Sequence, residues 1–390
     1  MFRKLLQKVP LAWLQLTHNK VRFAVALSGI AFADILMFVQ MGFEGALYDS
    51  AMKPYRELVQ ADLAIASTQF QTLISTPNFQ RDRLYQTLAH PQVKSVSPLY
   101  ISVAGQWRNP ETRQNRAILI WGVDAGNPSV RLPDPAQQIP QLQQLDRVLF
   151  DRAGRPEYGD VANIFMQRGQ LEAQLNNKLV RVSGLFEVGT SFAADGNVIT
   201  SDATFLRLFP DRRSDRIEMG LISLKEGANV QQVKRELANL LSNDVRVLTP
   251  EEWAGVEKNY WESGTGIGFI FGLGVTMGFI VGIVIVYQIL YSDVSDHLSE
   301  YATLKAMGYS DRFLLSVLFQ EAVLLACLGF LPSFLLSVGL YQVTYAATML
   351  PIKMTIERAT SVFVMTVIMC VASGAIAMRK LKTADPADIF

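Results

Sequence analysis

Apolar and polar positions along this chain follow two different regimes. Three stretches carry no charged side chain: Ser263–Ser292, Ala322–Ile352 and Ala359–Met378, of 30, 31 and 20 residues. A fourth, Phe23–Phe43, is interrupted only by Asp34. A helix needs about 20 apolar residues to cross the hydrocarbon of a bilayer. Each stretch therefore predicts a membrane-spanning helix, over 23–45, 263–292, 313–344 and 359–379, with Pro332 expected to kink the third.

Between the first two spans the pattern changes. Ala61–Ala66 alternates like a strand, Phe79–Ala89 has helical spacing, and Val96–Val103 is strand-like again. The same order returns in Ile217–Leu224, then Val230–Leu241 with Val233, Leu237 and Leu240 on one face, then Val245–Leu248. Two strand–helix–strand units predict a ferredoxin-like split βαβ sandwich built from 46–103 and 216–262. The segment 104–215 is expected as an inserted subdomain, with strand-like Ala117–Trp121, Leu179–Val188 and Asn197–Thr200 and a Pro/Gln-rich loop at Pro133–Gln144. A single mixed α+β domain is the alternative.

The joints between these regions are also patterned. Ala46–Gln60 continues the first span amphipathically, with a break expected at Pro54, and Thr249-Pro250-Glu251-Glu252 starts a helix that runs almost directly into the second span. Spans one and two are thus expected to project as a stalk able to pass motion to the domain between them. In residues 1–22, Leu5, Leu6, Val9, Trp13 and Leu16 recur at helical spacing among Arg3, Lys4, Lys8 and Lys20, which predicts an amphipathic helix at the cytoplasmic interface.

Composition sharpens this division. Charged residues are 18% of the 390, against about 25% in soluble domains. Residues 46–262 hold 24 Lys/Arg and 25 Asp/Glu, 49 of the chain's 71 charges. The shortfall lies in the spans, which excludes a purely soluble enzyme. High hydrophobicity excludes a disordered chain. A net charge of +1 and the lack of a basic stripe argue against nucleic-acid binding. Arg3, Lys4, Lys8, Lys20 and Arg22 precede the first span, and Arg379, Lys380 and Lys382 follow the last. By the positive-inside rule both termini are cytoplasmic. The large domain 46–262 and the loop 345–358 are then outside, while the loop 293–312 and the tail 380–390 are inside. The long basic segment, the length of the first apolar run and Asp34 argue against a cleaved signal peptide. Cys327 and Cys370 both fall in spans, so the external domain has no disulfide framework.

No GxxxxGK[ST] phosphate loop, HExxH, CxxC or GxSxG occurs in the sequence. His18, His90 and His297 are widely separated. The chain is expected to be non-catalytic, with neither cofactor nor metal of its own, and any ATP use must come from another polypeptide. Three features stand out. Gly264, Gly268 and Gly272, then Gly274, Gly278 and Gly282, recur at intervals of four in the second span. They suggest a close helix–helix seam at a dimer interface, although membrane helices are glycine-rich in general. Asp34 is an intramembrane acid, either functional or hydrogen-bonded to a neighbouring helix; Glu321 is expected nearer the interface. Finally, Val294, Leu298, Tyr301 and Leu304 or Lys305 share a helical face in the loop 293–312, and Gly308 is placed to end that helix. A plain connecting helix would show the same spacing.

At this loop the sequence resembles the MacB/FtsX superfamily of ABC transporter permeases, in which E-x-x-x-L-x-A-x-G follows the second span. Here the motif is Glu300, Leu304, Ala306 and Gly308. One span, a large external domain and three further spans are that superfamily's layout. The wording EYATLKAMGYSDRFL, the ending ADPADIF and GIAFADILMFVQMGF around Asp34 are similar to the DevC-type exporter permeases.

The resemblance implies a membrane α-helical protein with four transmembrane helices and a large α+β periplasmic domain, porter-like with a sabre-like insertion. It implies a homodimer in the inner membrane, with ATP and Mg bound by a DevA- or MacB-like ATPase subunit. The segment Ser295–Gly308 would be the coupling helix, meeting the ATPase through Asp296, Leu298, Glu300, Tyr301, Leu304, Lys305, Ala306, Met307 and Gly308. The periplasmic domain would dock a DevB-like membrane fusion protein and, through it, a TolC-like outer-membrane channel. ATP-driven motion would be transmitted outward to expel periplasmic or outer-leaflet substrate, for which the subgroup hints at a glycolipid. An FtsX-like regulator of periplasmic hydrolases and a LolC/LolE-like lipoprotein-extracting permease are alternatives within the resemblance. A membrane-anchored receptor or enzyme is the alternative outside it.

Overall fold

The computed structural model describes residues 13, 16–296, 303 and 307–383. Most of the expected interfacial helix, the tail from residue 384, and Leu298, Glu300, Tyr301, Leu304, Lys305 and Ala306 lie outside the described residues. In chain order the elements are α1 (Lys20–Glu57), β1 (Leu63–Ser67), β2 (Phe79–Gln80), α2 (Asp82–Gln86), β3 (Val93–Arg108), β4 (Asn115–Val123), α3 (Pro135–Leu142), β5 (Arg147–Asp151), α4 (Val161–Arg168), β6 (Leu171–Leu175), β7 (Lys178–Phe186), β8 (Asn197–Ser201), α5 (Asp202–Leu208), β9 (Arg216–Ile217), β10 (Met219–Leu224), α6 (Val230–Leu240), β11 (Val245–Leu248), α7 (Pro250–Asn259), α8 (Gly266–Asp296), α9 (Asp311–Thr348) and α10 (Ile356–Thr383). They form two compact units, Met1–Ala46 with Ile267–Phe390, and Leu47–Gly266.

Among the described residues four helices, α1, α8, α9 and α10, are long and apolar enough to cross a membrane. Their bounds differ from the apolar runs. The first continues through Pro54 to Glu57 instead of breaking there. Pro54 sits in the last turn, so its missing N–H removes a single intrahelical bond. The third begins at Asp311 and runs unbroken past Pro332. The second starts only at Gly266, because Tyr260–Gly264 forms a π-helical turn and Thr265 is extended.

In the 47–266 unit, β1, β3, β10 and β11 lie in the order β11-β1-β10-β3, every pair antiparallel. With α2 and α6 this is the ferredoxin-like arrangement expected from the two repeats. The strand β3 is twice as long as expected and carries the insertion. It pairs with β4 from Leu99 onward, across a register shift between Ser102 and Gly105, and its last two residues also pair with β6. A Cβ on Gly105 would sit 2.5 Å from the Ile118 carbonyl oxygen, so the bulge needs glycine. The strands β3-β4-β8-β5-β7-β6 thereby return to β3 as a ring, with parallel pairs at β4–β8 and β5–β7. Ring closure leaves fewer bare strand edges.

Local chemistry explains the elements and the misreadings. Thr249 and Glu252 form a reciprocal capping box at the start of α7, with Glu252 N–H donating to Thr249 Oγ1 at 3.2 Å and Thr249 N–H donating to Glu252 Oε2 at 2.9 Å. The segment Pro133–Gln144 holds a helix rather than a loop. Asp134 caps α3 by accepting from Gln137 N–H at 3.2 Å, and Pro135 stands at its first position, where proline is pre-set for a helix. The segment Phe79–Ala89 is part strand, part helix: β2 pairs with β9 before α2 begins. On α6, Val233 and Leu237 are buried, but Leu240 is 52% exposed. The chain turns extended at Leu241, whose side chain takes the core place instead.

One core cluster joins both parts, from Leu63, Ile65 and Leu237 to Trp107, Phe150 and Val198. Leu237→Ala should lower stability by about 2–5 kcal/mol through the cavity it leaves. Leu240→Ala should change it by about 0.5 kcal/mol or less. Thermal unfolding followed by tryptophan fluorescence separates the two, and equal shifts would contradict the assignment of the buried face.

Candidate functional site

Two buried acids of the 47–266 unit each accept four hydrogen bonds, Asp151 at the end of β5 and Glu257 on α7, and only Glu257 draws its donors from the segments next to the first and second membrane helices. Its residue is fully buried, and four groups donate to its carboxylate. Tyr55 Oη donates to Oε2 at 2.6 Å, Leu73 N–H to Oε2 at 2.8 Å, Thr72 Oγ1 to Oε1 at 2.8 Å, and Trp261 Nε1 to Oε1 at 2.9 Å. Burial holds the carboxyl above its ordinary pKa, and the side-chain and backbone donors pull it back.

Aromatic packing surrounds this knot. The Tyr55 ring meets Trp253 edge-on at 4.5 Å, and Trp261 meets Phe192 at 4.9 Å. Phe192 N–H donates to Ser50 Oγ at 3.2 Å, and the Lys258 ammonium lies 5.9 Å from the Tyr48 ring. Tyr48, Ser50 and Tyr55 all belong to the last third of α1, whereas Glu257 and Trp261 precede the start of α8 at Gly266. The knot therefore ties together the two chain segments that connect to the first and second membrane helices.

Sequence reasoning did not single out Glu257. Its partners are 184 to 202 residues away, apart from Trp261 at four. The available signal was a carboxylate on an amphipathic segment between Trp253 and Trp261.

In the membrane unit Asp34 is fully buried on α1. Thr366 Oγ1 of α10 donates to Oδ1 at 2.7 Å, and Ser333 Oγ of α9 to Oδ2 at 3.0 Å. The acid thus joins three helices through neutral hydroxyls. Glu321, expected near the interface, is instead fully buried, and its two oxygens have no hydrogen-bond partner among the described residues.

The glycines of α8 divide. A Cβ on Gly274 would lie 2.5 Å from Gln40 Cδ, one on Gly278 would lie 3.1 Å from Met37 Cγ, and one on Gly282 would lie 2.9 Å from Ala33 Cβ and closer still to Met369 Sδ. These three pack on α1, with α10 reaching the last. A Cβ on Gly272 meets nothing within 4 Å, and one on Gly264 meets the Tyr260 ring at 3.4 Å. Gly268 is half-buried. Of the expected coupling residues, Asp296 pairs with Arg22 of α1, Met307 is 63% exposed and donates its N–H to the Thr303 carbonyl at 3.0 Å, and Gly308 has φ +90°. Among the described residues no His, Cys, Asp and Glu converge as a metal set.

Residues 266–386 match the family described as FtsX-like permease C-terminal. Comparison with curated proteins gives no match. Among solved structures, the chain is similar to the periplasmic region of MacB from Actinobacillus actinomycetemcomitans, with 13% identity and a TM-score of 0.36 over 52% of this chain and 94% of that one. It is also similar to the extracellular domain of the noncanonic ABC-type transporter YknZ from Gram-positive bacteria, with 13% identity and a TM-score of 0.34 over 48% of this chain and 99% of that one.

Glu257→Gln sets an amide NH2 against two of the donors and should cost about 2–4 kcal/mol, whereas Tyr55→Phe removes one donor and should cost about 1–2 kcal/mol. Denaturation of the detergent-solubilised protein measures both; a Tyr55→Phe loss equal to or larger than that of Glu257→Gln would contradict the four-donor description. Gly282→Leu should lower the denaturation midpoint clearly, because its side chain has no room. Gly272→Leu should leave it within the error, and the reverse order would show that the seam is misplaced.

Proposed function

We propose that this chain, an FtsX-like ABC permease by its residues 266–386, is the membrane subunit of an exporter that passes ATP-driven motion from a separate ATPase to the 47–266 domain. One observation carries the reading: a permease-family match stands in a sequence without a phosphate-cradling GxxxxGK[ST] loop. The chain then works as a homodimer in the inner membrane, termini inside and the large domain in the periplasm. Two DevA- or MacB-like ATPase subunits bind ATP and Mg and seat against the segment 295–308. A DevB-like fusion protein docks on the periplasmic domain and leads to a TolC-like channel, as in tripartite efflux. DevC-type permeases are the subgroup this fits.

The arrangement around Glu257 supports mechanical transmission. Helix α1 is unbroken from Lys20 to Glu57, Tyr55 is near its end, and Glu257 stands nine residues before α8. A carboxylate shared between them makes displacement of one segment costly unless the other follows. No bond of the substrate needs to be made or broken by this chain.

Purification from native membranes should bring down a P-loop ATPase and a periplasmic fusion protein. Recovery of a cell-wall hydrolase without a fusion protein would favour an FtsX-like regulator instead. Replacing Glu300 or Met307 by lysine should uncouple the pair: hot-spot residues cost about 2 kcal/mol or more when lost, so stimulation of the ATPase should fall about 30-fold. Export that survives both changes with the ATPase bound and normally coupled would rule out the coupling role.

A further inference from the structure

The 47–266 unit holds a cavity of about 580 Å³ where β1 begins, β3 begins and β10 ends. Three features of the sequence build it. The ladder between β10 and β3 shifts register between Ser223 and Leu224, which frees the Leu224 N–H to donate to Asp62 Oδ2 at 2.7 Å. The turn 127–131 closes over the opening and is clamped to the chain after α1. Gln60 N–H donates to the Ser129 carbonyl at 2.9 Å, Arg131 N–H donates to the Leu58 carbonyl at 2.7 Å, and Val59 bridges Val130. Ser129 is held at φ +46°, a left-handed conformation that a non-glycine residue keeps only where its surroundings impose it.

The lining is that of an oxyanion site. Lys94 and Arg131 line the cavity, are exposed, and make no ion pair or side-chain hydrogen bond among the described residues. Ser95, Ser129 and Ser223 are also among its lining residues. Asp62 is the one acid, with an oxygen already committed to Leu224 N–H. Two cations against one acid leave a single positive charge, which a singly charged anion neutralises. A phosphodiester, like a carboxylate, carries one charge on two oxygens, but its tetrahedral group accepts from donors on several sides, whereas a carboxylate accepts mainly in one plane. Arg131 together with Ala61 and Asp62 also borders an adjoining cavity of about 670 Å³ lined by the apolar Val59 and Val230 and also by Arg56, Glu251 and Glu252, so it suits an uncharged extension of the ligand. The rest of a ligand larger than its phosphate has room there.

We propose that this cavity binds a phosphodiester group between Lys94 and Arg131. The site does not depend on the export reading. Its ligand comes either from a soluble phosphodiester or from the headgroup of a phospholipid, which share this chemistry.

The full chain in non-ionic detergent is titrated calorimetrically with glycerophosphoglycerol and, separately, with dihexanoyl phosphatidylglycerol. Both should bind saturably. The doubly substituted Lys94→Gln, Arg131→Gln protein should bind each at least about tenfold more weakly, since two charge-assisted contacts are lost. Arg152→Gln, at a surface arginine paired with Glu187 away from the cavity, should bind as the unaltered protein does and so controls for general charge. If the acylated ligand binds more tightly and loses as much in the double variant, the source is a lipid. Equal affinities for the two ligands assign the site to a soluble phosphodiester. Absence of saturable binding by both, or equal binding by the double variant and the unaltered protein, overturns the proposal.

Discussion

A carboxylate removed from water loses several kcal/mol of solvation, and Glu257 is tolerated only because four donors converge on it. Tyr55, Thr72, Leu73 and Trp261 come from three separate places in the sequence. The end of α1, the loop after β1 and the turn before α8 must therefore be in register before the charge is satisfied. Loss of one donor exposes the others to the same penalty. An apolar contact in its place would slide, whereas four directional bonds on one carboxylate resist displacement of any one segment.

The membrane unit uses weaker versions of the same device. Asp34 ties α1 to α9 and α10 through Ser333 and Thr366, and Ser373 Oγ donates to the Ile283 carbonyl at 2.9 Å between α10 and α8. Tyr341 Oη reaches the Phe38 carbonyl. Glycines at 274, 278 and 282 let α8 approach closely enough for dispersion to act, which matters where lipid offers no hydrophobic drive for association. Directional polar bonds thus set which helices are neighbours, and small residues set how near they come.

Much of this was legible in the chain. Charge-free runs gave the four long helices, because the length of an apolar run reports directly on the solvent it crosses. The repeated strand–helix–strand order gave the four-stranded core, since both copies keep their period. What was not legible depends on long-range pairing. Nothing around Arg108 announces that β3 will continue past a bulge to meet β6; β5 is only the apolar triplet Val148–Phe150 between two charges, and β6, LEAQL, is built of residues that favour helices over strands. Proline content misled at Pro135, where a cap at Asp134 decides the structure. Asp34 stood out as a charge in an apolar run, whereas Glu257 was ordinary in its local setting and became special only through partners about 200 residues distant.

The proposed transmission requires motion of the 47–266 domain driven by nucleotide turnover on another subunit. Spin labels at the exposed Met166 of the proposed homodimer, reconstituted with the ATPase that co-purifies with it, report that motion as a distance distribution. A shift of the distribution between the nucleotide-free and ATP-bound states, reversed after hydrolysis, is the predicted result. A distribution that stays the same while the ATPase turns over normally would contradict it.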